Sequence, residues 1–67
     1  MAKIQLNGKK IIINQKVSLF DLLKKHKLDK KKVAVELNGK IIPKQLLKKK
    51  MILDKDKIEI VHFIGGG

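Results

Sequence analysis

The chain has no cysteine, no tryptophan, no tyrosine and no arginine, and only one proline and two phenylalanines among its 67 residues. Each absence removes a class of protein. Without cysteine there are no disulfides, no thiolate metal sites and no thiol nucleophile. A domain this short, without staples, has to hold itself together with a compact apolar core and regular secondary structure. Without arginine the chain lacks the planar fork that grips phosphate bidentately and reads guanine. Two phenylalanines are few for a protein that stacks single-stranded bases. Acidic residues are scarce too: 6 against 17 basic residues, every one of them lysine, for a net charge of +11. That balance favours anionic partners and faster encounter with acidic protein surfaces. The lysines recur in almost every segment instead of along one element, so a solvated surface accounts for most of them, and nucleic acid is not expected as a partner. No apolar run approaches the length of a signal-peptide core or a membrane span, so the expectation is a cytoplasmic protein without membrane association.

What is present is a supply of core residues, 43% hydrophobic and dominated by isoleucine, leucine and valine. Residues 2–7, Ala-Lys-Ile-Gln-Leu-Asn, alternate with the period of a half-buried strand, placing Ile4 and Leu6 toward the core. Asn7-Gly8 is a strong hairpin signal, and a second strand over Lys10–Asn14 follows it. A helix over residues 18–27 is announced by Ser18 as N-cap with Asp21 three residues on, and by Val17 and Leu22 in the positions of a hydrophobic staple. Leu19, Leu22, Leu23 and His26 form one stripe of that helix, and Lys24, Lys25 and Lys27 sit late, where cations suit its dipole. Val33–Asn38 alternates again, Asn38-Gly39 repeats the hairpin signal, and a short Lys40–Ile42 strand ends at Pro43. Lys44–Lys50 has room for one helical turn, with Leu46 and Leu47 pointing inward, and the polar turn Asp54-Lys55-Asp56 launches a final strand over 57–64. The order β-β-α-β-β-β predicts an α+β domain, one sheet of about five strands with a helix packed across one face.

The final strand is followed by Gly65-Gly66-Gly67. Three extended residues span roughly 10 Å, and without Cβ atoms they thread a slot too narrow for other residues. This suits a working group that is the terminal carboxylate itself; simple fraying is the competing reading. The expected division is a domain over 1–64 and a flexible tail over 65–67.

The strand order, the Ser18-Leu-x-Asp-Leu-Leu23 helix start, the Val33-Ala-Val-Glu-Leu-Asn-Gly-x-Ile-Ile-Pro43 hairpin and the ending Asp56-Lys-Ile-Glu-Ile-Val-His-Phe-Ile-Gly-Gly-Gly67 together resemble the ThiS family over essentially the whole chain. Two positions depart from the family pattern: Leu46, where an aromatic residue is common, and Lys55, where the turn often holds glycine. The resemblance implies a β-grasp, ubiquitin-like fold with the first and last strands parallel and central. It also implies a sulfur carrier of thiamine biosynthesis, a protein co-substrate and not an enzyme. An E1-like adenylating enzyme using Mg-ATP would convert the Gly67 carboxylate to an acyl-adenylate, a persulfide donor would supply sulfur to make a thiocarboxylate, and thiazole synthase would receive it. Gly67 carries the sulfur in this reading, while Gly65 and Gly66 thread the tail. The molybdopterin sulfur carriers, of MoaD type, are the nearest rival, but they commonly have a Pro-Pro pair before the glycines where this chain reads Val61-His-Phe-Ile64.

Other residues enter as subsidiary candidates. If Ile58 and Ile60 face the helix, Val61 and Phe63 lie on the open face of the sheet, where exposed apolar residues beside a working tail form a docking patch. Burial of both by a loop or by neighbouring strands is the alternative. His26 and His62, with no cysteine, are a poor ligand set, so no metal is expected. Glu36 and Glu59 read as partners for lysine more readily than as an acid–base pair. The lysine clusters 30–32 and 48–50 are either solvated or steer the chain toward acidic surfaces. A basic nucleic-acid-binding module and a ubiquitin-like modifier joined to target lysines remain as further alternatives.

Overall fold

The computed structural model describes residues 1–63; the expected last strand residue, Ile64, and Gly65, Gly66 and Gly67 lie outside the described residues. Five strands, β1 (Ala2–Leu6), β2 (Lys9–Ile13), β3 (Val33–Leu37), β4 (Lys40–Ile41) and β5 (Lys57–His62), form a single sheet in the order β2-β1-β5-β3-β4. One helix, α1 (Leu19–Lys25), lies across it. Short 3₁₀ turns at Lys30–Lys32 and Lys44–Leu46 precede β3 and follow β4. Neighbouring strands pair antiparallel except at the centre, where β1 and β5 run parallel, Gln5 beside Lys57 and Leu6 beside Ile58. This is the β-grasp arrangement that the resemblance implies. Among the described residues no helix is long and apolar enough to cross a membrane.

Both Asn-Gly turns adopt the left-handed conformation a tight hairpin demands: φ is 50° and 84° at Asn7 and Gly8, and 52° and 86° at Asn38 and Gly39. The asparagines do more than turn the chain. Asn7 Oδ1 accepts the Ile60 amide at 2.7 Å and its Nδ2 donates to the Ile60 carbonyl at 3.3 Å. In this way the turn side chain continues the β1–β5 pairing one step past the end of β1. Asn38 Oδ1 accepts the Lys57 amide at 2.9 Å, and its Nδ2 donates to Asp56 at 3.1 Å. Each hairpin is thereby fastened to β5 or to the turn that launches it.

The helix starts as the sequence predicts. Ser18 Oγ accepts the Asp21 amide at 3.1 Å and the Asp21 carboxylate accepts the Ser18 amide at 2.9 Å, a complete capping box. Further donors of the first turn are satisfied from far along the chain: Leu19 donates to the Lys50 carbonyl at 3.0 Å and Phe20 to the Leu47 carbonyl at 3.1 Å. The helix is shorter than 18–27, because His26 is its C-cap and Lys27 turns left-handed at φ 58°. Leu19, Leu22 and Leu23 are buried in one core with Ile4, Val33, Val35, Leu37, Ile58 and Ile60, and Leu47 and Ile52 close it. His26, the fourth residue of the expected stripe, is exposed. Leu46 also departs from expectation: it is exposed while Leu47 is buried, since a 3₁₀ turn presents only one of two adjacent leucines to the sheet.

Lys55 holds φ 71°, a left-handed position in the turn where the family pattern favours glycine. The two aspartates flanking it hold that turn in place. Asp54 accepts the Lys3 amide at 2.8 Å, and the buried Asp56 accepts the Leu53 amide at 2.8 Å.

These local bonds can be tested one at a time. Asn7→Gly keeps the left-handed turn but deletes both bonds to Ile60; urea denaturation is expected to show a loss of about 1–3 kcal/mol, and an unchanged midpoint would mean the bonds contribute nothing. Asp21 is held below its ordinary value of 3.8, first by the Ser18 backbone amide and then by the Ser18 hydroxyl; a loss of hydration opposes them, and Lys24 adds attraction. The folded state therefore prefers the charged carboxylate; the stability this adds is complete above the ordinary value and disappears as pH falls through the lowered folded one. Asp21→Asn is expected to be less stable than the native chain at neutral pH, with the gap closing well below pH 3.8. A gap that stays constant with pH would rule out a charge contribution.

Candidate functional site: the end of the central strand

β5 occupies the middle of the sheet with β1 on one side and β3 on the other. Its register with β3 runs from Leu37 beside Ile58 to Val33 beside His62, and the Phe63 amide continues the pairing by donating to the Lys32 carbonyl at 2.9 Å. The root from which residues 64–67 continue is thus fixed by main-chain bonds up to Phe63. Gly67, Gly65 and Gly66, the expected sulfur-carrying and threading positions, lie outside the described residues.

Alternation along β5 sorts its side chains as the sequence reading requires. Ile58 is fully buried, at 0% exposure, and Ile60 is buried beside it. Val61 is 56% exposed and Phe63 51% exposed. The open face therefore carries these two residues at the end of the central strand, and among the described residues neither a loop nor a neighbouring strand buries them. Ala34 is paired with Val61, and Ile41, across from Glu36, is 71% exposed on the same face. Ala34, Ile41, Pro43, Lys44 and Phe63, together with Ile42 and the buried Val33, Val35 and Leu47, line a depression of about 210 Å³. The Lys44 ammonium lies 5.4 Å from the centre of the Phe63 ring and 3.4 Å from the Lys31 carbonyl, so a cation sits directly over the patch.

Ile41 carries no signal of its own in the composition, but its place is legible. A two-residue Asn-Gly loop sets Leu37 against Lys40, and the next pair must then be Glu36 with Ile41, on the face opposite the buried Val35 and Leu37. Lys44 over Phe63 has no comparable sequence signal. The register also brings Glu36 directly opposite Glu59 on the open face. His26 caps α1 and His62 is exposed at the end of β5; among the described residues no group of three or more His, Cys, Asp or Glu gathers in metal-binding range. What the site offers is a rigid strand end, an apolar face beside it and nearby positive charge.

Comparison with known proteins is consistent across sequence and structure. The model of the ThiS family matches residues 2–67. The sulfur carrier protein ThiS of Bacillus subtilis is 43% identical over 65 residues, covering 96% of this chain and 98% of that protein. A thiazole synthase of Paramagnetospirillum magneticum is 40% identical over 65 residues, which cover 97% of this chain but 20% of the much longer relative. Among solved structures, the crystal structure of the thiamine biosynthesis protein ThiS from Geobacter metallireducens superposes with a TM-score of 0.82 at 28% identity, covering 97% of this chain and 99% of that one.

The exposure pattern predicts a separation of roles along one strand. Ile58→Ala is expected to cost about 2–5 kcal/mol in a denaturant titration, whereas Phe63→Ala should cost no more than about 1 kcal/mol. A Phe63→Ala penalty as large as that of Ile58→Ala would make Phe63 a core residue and remove it from the patch.

Proposed function

The chain belongs to the ThiS family, and from that membership we propose that it is a sulfur carrier for thiazole formation in thiamine biosynthesis, acting as a protein co-substrate. The observation that carries the reading is the end-to-end match to the ThiS family through residue 67, together with a central strand whose fixed end leads into the three glycines. The similarity to one segment of a much longer thiazole synthase supports that enzyme as the partner that receives the sulfur.

The proposed chemistry begins at the Gly67 carboxylate. A carboxylate is a poor electrophile, because its charge is delocalised and its oxygen is a poor leaving group. Attack of that carboxylate on the α-phosphate of Mg-ATP, in an E1-like adenylating enzyme, releases pyrophosphate and leaves an acyl-adenylate. The terminal sulfur of a persulfide donor then attacks the acyl carbon and AMP departs. Cleavage of the sulfur–sulfur bond by a thiol leaves the thiocarboxylate, which thiazole synthase consumes. No step of this route requires an acid, base or metal from the carrier. Its own contribution is mechanical and recognitive. The β5 root presents the tail, Gly65 and Gly66 pass through a narrow channel, and Val61 and Phe63 dock the open face against the adenylating enzyme.

Intact mass spectrometry tests this directly, after incubation with an adenylating enzyme of this type, Mg-ATP and a persulfide source. The expected product gains the difference between one sulfur and one oxygen, and a chain lacking Gly66 and Gly67 gains nothing. No gain in the presence of an active enzyme would overturn the carrier reading. A thiocarboxylate that thiazole synthase cannot use but molybdopterin synthesis can would reassign the pathway.

A further inference from the structure

Three lysines from three separate elements converge on one aromatic ring. The Phe20 centroid lies 4.8 Å from the Lys48 ammonium, 5.5 Å from that of Lys30 and 5.9 Å from that of Lys24. All three charges are therefore within 5.9 Å of a single point, with Lys48 brought there from far along the chain. Phe20 and Lys24 share the helix, whereas Lys30 and Lys48 reach the ring from outside it. Like charges so close repel one another, and the negative face of a ring offsets that only in part.

Two carboxylates lie close to this cluster, and both are also bonded to local backbone. Asp21 attracts Lys24 while it closes the capping box with Ser18. Asp29, next to Lys30, accepts the Lys31 amide at 2.9 Å. Asp54 and Asp56 bind the backbone of the turn before β5. Glu36 and Glu59 face each other on the open side of the sheet, whereas α1 lies on the covered side. The three ammoniums around Phe20 thus outnumber the two carboxylates beside them.

Its position relative to the end of β5 is also set. The turn that carries Lys30 also supplies the Lys32 carbonyl to the Phe63 amide and the Lys31 carbonyl to Lys44. The cluster therefore sits at the end of the molecule where β5 terminates, on the other side of the sheet from Val61 and Phe63.

We propose that the Phe20–Lys24–Lys30–Lys48 surface is a second docking site, which takes an acidic polypeptide segment at the mouth of the enzyme that receives the tail. The proposal rests on the carrier reading for the identity of that partner. Charge complementarity selects an anion, and two features select polypeptide over nucleic acid. The ring is already surrounded by ammoniums, so no base can stack freely on it. The cations are lysines, point charges that serve a carboxylate as well as a phosphate but lack the fork of arginine. An enzyme closing on the tail from both sides would meet apolar surface on one flank and three gathered charges on the other.

The test is binding of a labelled decaglutamate peptide, measured by fluorescence anisotropy at low and at physiological salt. The triple change Lys24→Gln, Lys30→Gln, Lys48→Gln is expected to weaken binding about tenfold at low salt. A control triple of equal charge, Lys9→Gln, Lys10→Gln, Lys40→Gln, should change it less than about twofold. The corresponding triple change of Lys24, Lys30 and Lys48 to arginine should retain binding and so exclude a misfolded surface as the cause. Equal weakening by both glutamine triples would assign the attraction to net charge and overturn the site. Tighter binding of a deca-thymidine oligonucleotide, with the same tenfold sensitivity, would overturn the choice of a polypeptide. The measurement does not involve the tail, so it can fail while the thiocarboxylate still forms, and it can succeed when that chemistry fails.

Discussion

The parallel pairing of β1 with β5 is the constraint on which the rest of this structure depends. It puts the last described strand in the middle of the sheet, so that Ile58 is buried completely and both edges of the strand are bonded. A parallel pair cannot be closed by a short turn, and the chain between the two strands has to cross the sheet. Here that crossing contains α1, the β3–β4 hairpin and the long return through Leu47 and Ile52, and much of it serves to cover the core. The asparagines of both hairpin turns then bind β5 directly, through Ile60 on one side and Lys57 on the other. A strand held this way is a firm base for whatever follows it.

With no disulfide available, the chain uses polar side chains as its fasteners. Four of its carboxylates accept backbone amides: Asp21 at the helix start, Asp29 at the 3₁₀ turn, and Asp54 and Asp56 before β5. This division of labour has an electrostatic consequence. The acids are tied to local backbone structure, and the lysines outnumber them across the surface. The two phenylalanine rings then become places where ammonium groups gather, three over Phe20 and one over Phe63. The molecule presents two different flanks near the end of β5, one with exposed apolar residues and one cationic.

Much of this is open to reading from residues alone because it is local. Alternation sorts the faces of β1, β3 and β5 and puts Val61 and Phe63 opposite Ile58 and Ile60, since successive side chains on a strand must point to opposite sides. That nothing among the described residues covers them is a finding of the structure. The Asn-Gly pairs determine both hairpins because few residues tolerate two consecutive positive φ angles. Ser18 and Asp21 mark the helix start because the capping box closes within three residues. The resemblance to the ThiS family, carried by the hairpin and the glycine ending, supplies the β-grasp order that periodicity has no means of showing. Leu46 and His26 show the limit of such reading. Each continues an apolar or helical pattern by spacing, and each is exposed because the element ends or tightens at that point.

By itself, then, the amino-acid sequence determined the elements, their buried faces, the charge balance and the family. Only the tertiary structure decided what lies across from what: Asn7 against Ile60, Leu47 and Lys50 against the first turn of α1, Glu36 opposite Glu59, and Lys24, Lys30 and Lys48 around a single ring. The physical reason is the range of the interactions involved. Turn preference, alternation and capping act over neighbouring residues and leave their mark in adjacent letters. Contacts across the sheet, and that of Lys48 with Phe20, join residues that the chain separates, and only packing into one core brings them together.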